Sequence, residues 1–174
     1  MDRPIGPLDG DETWQHLYED LKRLAHHELR QKNVGGTFSP TMLVHETYVK
    51  LLSAQKVEIK DRGHFIALCC RVMRQVLVNH FREKGALKRG ENAVAVTLED
   101  HRTPGQGQEV DLFALEQGLA RLEAVEPRLA RIVEMRFFGG LDNGEIARAL
   151  EVNTRTVERG WLKARMLLSD VLSS

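Results

Sequence analysis

Cationic side chains recur at four-residue spacing near the C-terminal end of the chain. Arg155, Arg159 and Lys163 share one side of a predicted helix, because residues four apart lie one turn above each other. The predicted helix carries four Lys or Arg residues against one Glu, a net charge of +3. Such a face can bind phosphates, while Thr156, Glu158 and Arg155 lie near the helix start and can reach base edges. The pattern therefore indicates contact with DNA.

The segment before this helix supplies a partner helix and a tight turn. Residues 141–165 read LDNGEIARALEVNTRTVERGWLKAR, with Ile146 and Leu150 on the apolar face of a first short helix. Asn153 is a good N-cap for the second helix. This is the plan of a helix-turn-helix, whose second helix enters a DNA major groove. A plain helical hairpin with a solvated charged face has the same periodicity, so that alternative stays open here.

A second concentration of positive charge lies in the N-terminal half. Residues 60–89 hold eight Lys or Arg against two Asp or Glu, a net of +6, mostly within a long helix predicted from about Arg62 to Lys88. Residues 91–109 carry a net charge of −3, and the whole chain sums to zero. Two local basic patches separated by an acidic connector argue against a uniformly basic nucleic-acid binder.

The elements that position these patches are predicted to be helices. The fold class is all-α, with two small helical domains joined by a flexible linker. The predicted boundaries are a disordered lead-in at 1–12, a first domain at 13–90, an acidic linker at 91–109 and a second domain at 110–174. The alternation at residues 93–98 is assigned to the linker rather than to a strand, because Pro104-Gly105 and Gly107 follow it.

Helix boundaries follow from caps and apolar stripes. A first helix is predicted from Thr13 to about Lys32. Ser39 is placed as the N-cap of the second helix, and Pro40 as its first residue, where a missing N–H costs nothing. In the second domain, Pro127 begins a helix that ends at Gly139-Gly140.

Residues that could support catalysis or hold a metal are scattered. The seven His residues offer no His-x₃-His pair with a third ligand, and no glycine-rich phosphate loop or serine nucleophile elbow is present. Cys69 and Cys70 are neighbours in an apolar run, which predicts core thiols and no disulfide. We therefore expect no enzyme activity, cofactor or metal. Without a signal peptide or an apolar run long enough to span a bilayer, we expect a cytoplasmic protein with no membrane partner.

Three ordered segments resemble the extracytoplasmic-function (ECF) sigma factors of bacteria, the small two-domain subunits that direct RNA polymerase to promoters. The likeness covers about residues 14–170. PRLARIVEMRFFGGLDNGEIARALEVNTRTVERGWLKARMLL is similar to the family's −35-binding domain, LVHETYVKL to its polymerase-binding helix, and HFIALCCRVMRQVLVNHFREKGALKR to its −10-binding helix. The segments LVHE and MRQVLVNHFR resemble those of a family subgroup that is often encoded with serine/threonine kinases.

The resemblance implies roles for individual residues. Contacts to the −35 element fall on Arg155, Thr156, Glu158, Arg159 and Lys163. Contacts to the −10 element fall on Arg71, Arg74, Gln75, Asn79 and Arg82, where Gln75 and Asn79 differ from the residues common in the family. Contacts to the β′ clamp helices of core RNA polymerase fall on Leu43, Glu46, Thr47 and Lys50. Promoter DNA and core polymerase are thus the implied partners, with a kinase or an anti-sigma factor as the implied regulator.

Two departures from the family pattern carry expectations of their own. Glu151 stands where the family often has Gly, so a left-handed backbone there would cost about 1 kcal/mol unless the turn is remodelled. Residues 39–42 lack the acids that many members carry before the polymerase-binding helix. Phosphorylation of Thr41, or of Ser39, would supply negative charge at a helix N-terminus. The alternative is that both are ordinary helix-start residues.

A protein of a different function class would also carry the basic patch on the predicted C-terminal helix. A helix-turn-helix regulator that binds DNA by itself, without polymerase, would also need a cationic recognition helix. It would use the first domain for a ligand pocket or a dimer contact. The LVHETYVKL segment and the charge of +6 in residues 60–89 favour the sigma-factor interpretation.

Overall fold

The structure is a computed structural model that describes residues 18–25, 39–53, 59, 61–87, 95–98 and 108–172. The N-terminal helices are α1 (residues 18–25), α2 (Pro40–Ser53) and α3 (Arg62–Leu87). The C-terminal helices are α4 (Leu112–Val125), α5 (Pro127–Val133), α6 (Asn143–Leu150) and α7 (Thr154–Leu172), with a π-helical segment at Glu134–Phe138. The lead-in predicted at 1–12 and both ends of the first predicted helix lie outside the described residues.

Local capping sets the helix starts, as the sequence predicts. The Met42 backbone N–H donates to Ser39 Oγ over 3.2 Å, and α2 begins at Pro40. The His64 backbone N–H donates to Asp61 Oδ1 over 2.7 Å at the start of α3. Each side-chain oxygen satisfies an N–H that has no partner within the helix. The predicted starts of α2 and α3 are therefore confirmed, and α5 begins at Pro127 as predicted, without a side-chain cap.

The connector contains a two-stranded hairpin. Strand β1 (Ala95–Leu98) pairs antiparallel with β2 (Gln108–Asp111), and Ala95 lies opposite Asp111. For residues 95–98 the prediction of a linker rather than a strand is wrong, because these residues pair with 108–111 across the connector, a pairing that the local pattern does not specify. Asp111 also accepts from the Ala114 N–H over 3.4 Å and thereby caps α4. The all-α class holds for the helices on either side.

The C-terminal helices and α3 share one apolar core. Phe65, Met73 and Leu77 of α3 are fully buried, as are Leu115 of α4 and Phe138 of the π-helical segment. The α3 helix contacts the π-helical segment and α6 extensively. The two halves of the chain therefore pack against each other in this structure.

The π-helical segment widens the helix that begins at Pro127. The Gly139 N–H donates to Glu134 O over 3.1 Å, which is the i to i+5 pattern of a π-turn. Its extra residue turns two consecutive rings inward, because Phe137 and Phe138 are both buried and meet edge to face at 4.8 Å. Gly140 then takes a positive φ of 63° and ends the helix.

Candidate nucleic-acid interface

Helix α6 is fixed at both ends by hydrogen bonds of its own residues. Asp142 Oδ1 accepts from the Glu145 N–H over 2.8 Å, and Glu145 Oε2 accepts from the Asp142 N–H over 3.0 Å. This reciprocal pair is a capping box. At the other end the Val152 N–H donates to Ala147 O over 3.0 Å, closing a Schellman motif.

The turn between α6 and α7 contains the strained residue that the sequence predicts. Glu151 has φ 55° and ψ 44°, a left-handed conformation that disfavours residues with a Cβ. The turn is not remodelled to avoid this cost. The left-handed residue sends the chain from α6 into α7, and so sets the angle of the second helix.

The start of α7 is held by Asn153. Its Oδ1 accepts from the Thr156 backbone N–H and from the Thr156 hydroxyl, each over 2.8 Å. The N-cap prediction is thus confirmed. Thr156, expected to reach base edges, has its hydroxyl engaged by the cap in this structure.

One face of α7 is buried in the C-terminal core. The buried positions are Val157, Gly160, Trp161, Ala164 and Leu168. The Arg136 guanidinium lies over the Trp161 ring, 4.7 Å from its centroid, which is a cation–π contact. Glycine at 160 permits a close crossing, since a Cβ there would lie 2.6 Å from Ile132 Cδ1. This packing fixes which face of α7 points outward.

The outward face of α7 carries the predicted cations. Arg155, Arg159 and Lys163 are exposed, and Lys163 pairs with Glu126 at the α4–α5 junction. Thr156 and Glu158 are partly buried beside them. The structure therefore gathers the five residues on one helix, in an arrangement that can meet a phosphate backbone and the edges of bases.

On α3, three of the five residues expected to contact the −10 element lie at the surface. Gln75, Asn79 and Arg82 are exposed at i, i+4 and i+7, which places them on one side of the helix. Amide and guanidinium groups in such a row can hydrogen-bond bases and phosphates. These three residues form an open polar row.

Arg71 and Arg74 are instead engaged by carboxylates. Arg74 is only 4% exposed, with its Nη1 2.9 Å from Glu134 Oε1 and its Nε 3.3 Å from Glu116 Oε2. Arg71 Nη2 lies 2.5 Å from Glu123 Oε1. In this arrangement α4 and the π-helical segment cover Arg74, so its expected contact with DNA stays a prediction.

The Glu134 carboxylate occupies an unfavourable site for a charge. Burial raises the pKa of Glu134 above its ordinary value, although the neighbouring guanidinium groups of Arg74 and Arg71 act to lower it. The Glu123 and Glu116 carboxylates raise it further. Arg74 lies within ion-pair distance of Glu134 and of Glu116. Among the described residues, however, the buried side-chain atoms that form these two contacts make no hydrogen bond of good geometry.

The three carboxylates Glu116, Glu123 and Glu134 were not identified from the sequence. Their partners lie more than forty positions away, and no local pattern specifies such pairs. A weak signal exists in α4, where Glu116 directly follows the buried Leu115 and Glu123 directly follows the buried Leu122. The sequence alone does not show that these carboxylates face α3, because that depends on how α4 packs against α3.

The residues of α2 that are expected to contact polymerase differ in their exposure to solvent. Glu46 is exposed and Lys50 is partly exposed, so both can reach a partner. Leu43 and Thr47 are fully buried, and a direct role for them in docking is therefore corrected to one of packing. The exposed apolar side chains of α2 were missed by the prediction and are Met42, Val49 and Leu52.

The residues considered for phosphorylation differ in their surroundings. Ser39 Oγ is engaged as the N-cap of α2. Thr41 is exposed in the first turn, where α2 has no acidic residue. It borders a recess of about 40 Å³ that Lys22 and Tyr18 of α1 also line.

Other kinds of site receive no support from the described part of the chain. Within it, no three His, Cys, Asp or Glu residues cluster so that they could hold a metal ion. Cys69 and Cys70 are buried and free of disulfides, and burial raises the pKa of the Cys69 thiol. No helix in the described ranges is long and apolar enough to cross a membrane.

Two of the known proteins and families compared with this sequence match most of its length. A solved structure, the sigma factor RpoE in complex with the anti-sigma factor NepR from Bartonella quintana, matches with 15% identity over 96% of this chain and 98% of that chain. The TM-score is 0.40, below the level at which two chains can be assigned one fold. No curated protein matches. The family model described as ECF sigma factor matches residues 8–174, and the chain therefore belongs to the ECF sigma factor family.

Proposed function

We propose that this chain binds core RNA polymerase and directs it to promoters through two DNA-contacting helices. The family match over residues 8–174 carries the proposal. In the proposed complex, α7 contacts the −35 element through its exposed cations. Helix α3 contacts the −10 element through Gln75, Asn79 and Arg82, together with Arg71 and Arg74. Electrostatic contact with phosphates supplies affinity, while base contacts supply the choice of promoter.

The α2 helix is the proposed docking element for polymerase. Its surface combines the exposed apolar side chains of Met42, Val49 and Leu52 with Glu46 and Lys50. An apolar patch rimmed by charges is typical of a protein–protein contact. The β′ clamp helices are the proposed partner surface.

Transcription in vitro tests this function. Core polymerase with the purified chain, supplied with fragments of the source genome, should produce transcripts with defined 5′ ends that core polymerase alone does not make. The Glu46→Ala/Lys50→Ala variant should lose this stimulation, whereas Arg128→Ala, an exposed change on α5, should keep it. A chain that binds specific DNA tightly without polymerase and never stimulates transcription would instead be a stand-alone helix-turn-helix regulator.

Control by phosphorylation of Thr41 is a finer part of the proposal, and it supposes a kinase-linked subgroup. Thr41 is exposed, α2 lacks an acid in its first turn, and Lys22 lines the same recess. A phosphate would add about −1.5 to −2 charges at the helix N-terminus, where an anion is favoured. The phosphate would also lie on the side of α2 that faces Lys22 of α1.

Polymerase binding by three variants tests this regulation. Thr41→Asp should bind core polymerase more tightly than the unmodified chain, and Thr41→Ala should stay weak after treatment with a serine/threonine kinase. Ser39→Ala removes the N-cap and leaves Thr41 intact, so kinase treatment should still increase its binding if Thr41 is the modified residue. Full binding by unmodified Thr41→Ala protein would exclude the switch. Control by an anti-sigma factor then remains as the alternative.

A further inference from the structure

A cleft of about 460 Å³ is lined by residues that belong to none of the proposed promoter or polymerase contacts. Helix α1 and the start of α3 form one wall, and α6 forms the other. The volume lies within the range of small-molecule pockets, about 300–1,000 Å³. Its apolar lining includes the buried side chains of Ile66 and Leu141 and the partly buried Ala149. The cleft therefore combines the size and the partly apolar lining of a ligand site.

Charged side chains make up most of the remaining lining. Three of these residues are arginines and four are carboxylic acids, a formal net charge of −1. The arginines are Arg23 of α1, Arg62 of α3 and Arg148 of α6, and the acids are Asp20, Asp61, Glu145 and Glu151. The sum alone would favour a cationic ligand, so the preference of the cleft depends on which of these groups already have partners.

Three of the four carboxylates are engaged by groups of the protein itself. Asp20 accepts from Arg62 Nε and Nη2, each over 2.8 Å, in a forked pair. Asp61 Oδ1 accepts from a backbone N–H at the start of α3 over 2.7 Å. Glu145 Oε2 accepts from a backbone N–H at the start of α6, and its Oε1 accepts from Arg23 Nη1 over 3.2 Å. These acids have little capacity left to bind a cation.

The arginines keep donors that these contacts do not use. A guanidinium group has five N–H donors, whereas Arg62 engages Asp20 through Nε and Nη2 alone. Arg23 donates to Glu145 through Nη1. Among the described residues, no carboxylate lies within ion-pair distance of Arg148, which is partly buried in the opposite wall. The groups left to bind a ligand are therefore mainly cationic donors, and they lie on both walls.

We propose that this cleft binds a small phosphorylated molecule of nucleotide size, with its phosphates between Arg62 and Arg148 and its ring system against Ile66 and Leu141. Phosphate oxygens match the forked donors of a guanidinium group. Because residues from three helices form the site, the ligand binds the folded chain in preference to the unfolded one and should raise its melting temperature. The site does not depend on the proposed promoter and polymerase contacts.

Calorimetric titration of the full chain with ADP, at low salt and without divalent cations, tests the ligand class. Adenosine lacks the phosphates and inorganic pyrophosphate lacks the ring system, so each is a matched partial ligand. We expect ADP to bind on the order of tenfold more tightly than adenosine, because adenosine forms none of the charged hydrogen bonds. Pyrophosphate should also bind more weakly than ADP, since it leaves the apolar lining uncovered.

Variants of two lining residues with opposite charges test the site. Arg148→Ala should weaken ADP binding on the order of tenfold, and Arg148→Lys should weaken it less, because lysine keeps the charge and loses the fork. Glu151→Gln should strengthen binding, since Glu151 is the lining carboxylate without a partner among the described residues. Arg128→Ala removes an exposed arginine of α5 that does not line the cleft, and it should leave the affinity unchanged.

Helical circular dichroism of each variant shows whether it is folded, so a loss of ADP binding can be assigned to the site. Binding of ADP that weakens in folded Arg148→Ala and strengthens in Glu151→Gln supports the proposal. No binding of millimolar ADP to the folded, unaltered chain would overturn it, as would equal affinities in Arg148→Ala and Arg128→Ala. Pyrophosphate that binds as tightly as ADP would overturn the assignment of a nucleotide-sized ligand.

Discussion

At the scale of single residues, Glu151 carries a local backbone cost that the helix-turn-helix tolerates. Its φ of 55° favours glycine, and replacement by glycine should remove a penalty of about 1 kcal/mol, partly offset by the greater freedom of the unfolded chain. Glu151→Gly should therefore raise the melting temperature by about 2–4 °C at most. Glu151→Ala keeps the Cβ and should change little, which separates backbone strain from side-chain effects. A lower melting temperature for Glu151→Gly would contradict this account.

Among the residues that the structure describes, Glu134 is a carboxylic acid whose protonation state couples to folding. Its pKa is raised by burial, so its contribution to stability is fully present below the ordinary Glu pKa and is lost as pH rises through the raised value. The groups that face it are Arg74 and Arg71 from α3 and Glu116 and Glu123 from α4. The free energy of unfolding of Glu134→Gln, relative to the unaltered chain, should therefore increase with pH above the ordinary Glu pKa. Denaturant titrations at several pH values would measure this, and a pH-independent difference would be the contrary result.

At the scale of elements, α7 should contribute to DNA affinity mainly through its exposed cations. Arg159→Ala removes one proposed phosphate contact and should lower the slope of log affinity against log salt by about 0.9. The measurement is a salt titration of polymerase holoenzyme on a promoter fragment. Arg128→Ala, which removes an exposed cation from α5, should leave the slope unchanged. Equal effects from both variants would show that α7 has no special role.

The sequence predicted those elements whose causes are local. Ser39, Asp61 and Asn153 cap their helices because a short polar side chain next to the first N–H groups has the same effect in any fold. The β1–β2 hairpin and the π-helical segment were not predicted. The strand pairing across the connector and the extra residue of the π-helical segment both depend on contacts between residues that a local sequence pattern does not specify.

At the scale of the whole molecule, the same limit explains Arg74. The charge count of residues 60–89 predicted a basic helix, and the family resemblance pointed to Gln75, Asn79 and Arg82, which are all exposed on α3. The covering of Arg74 by Glu134 depends on how α3 packs against the π-helical segment, which composition and periodicity do not encode. The candidate site was thus predictable helix by helix, whereas the covering of Arg74 was not.

Promoter-directed transcription is the most direct measurement of the proposed function of the whole molecule. Core polymerase with the chain should produce transcripts with defined 5′ ends that core polymerase alone does not make, and the exposed-residue variant Glu46→Ala/Lys50→Ala should not stimulate them. Identical transcripts with and without the chain would contradict the proposed function.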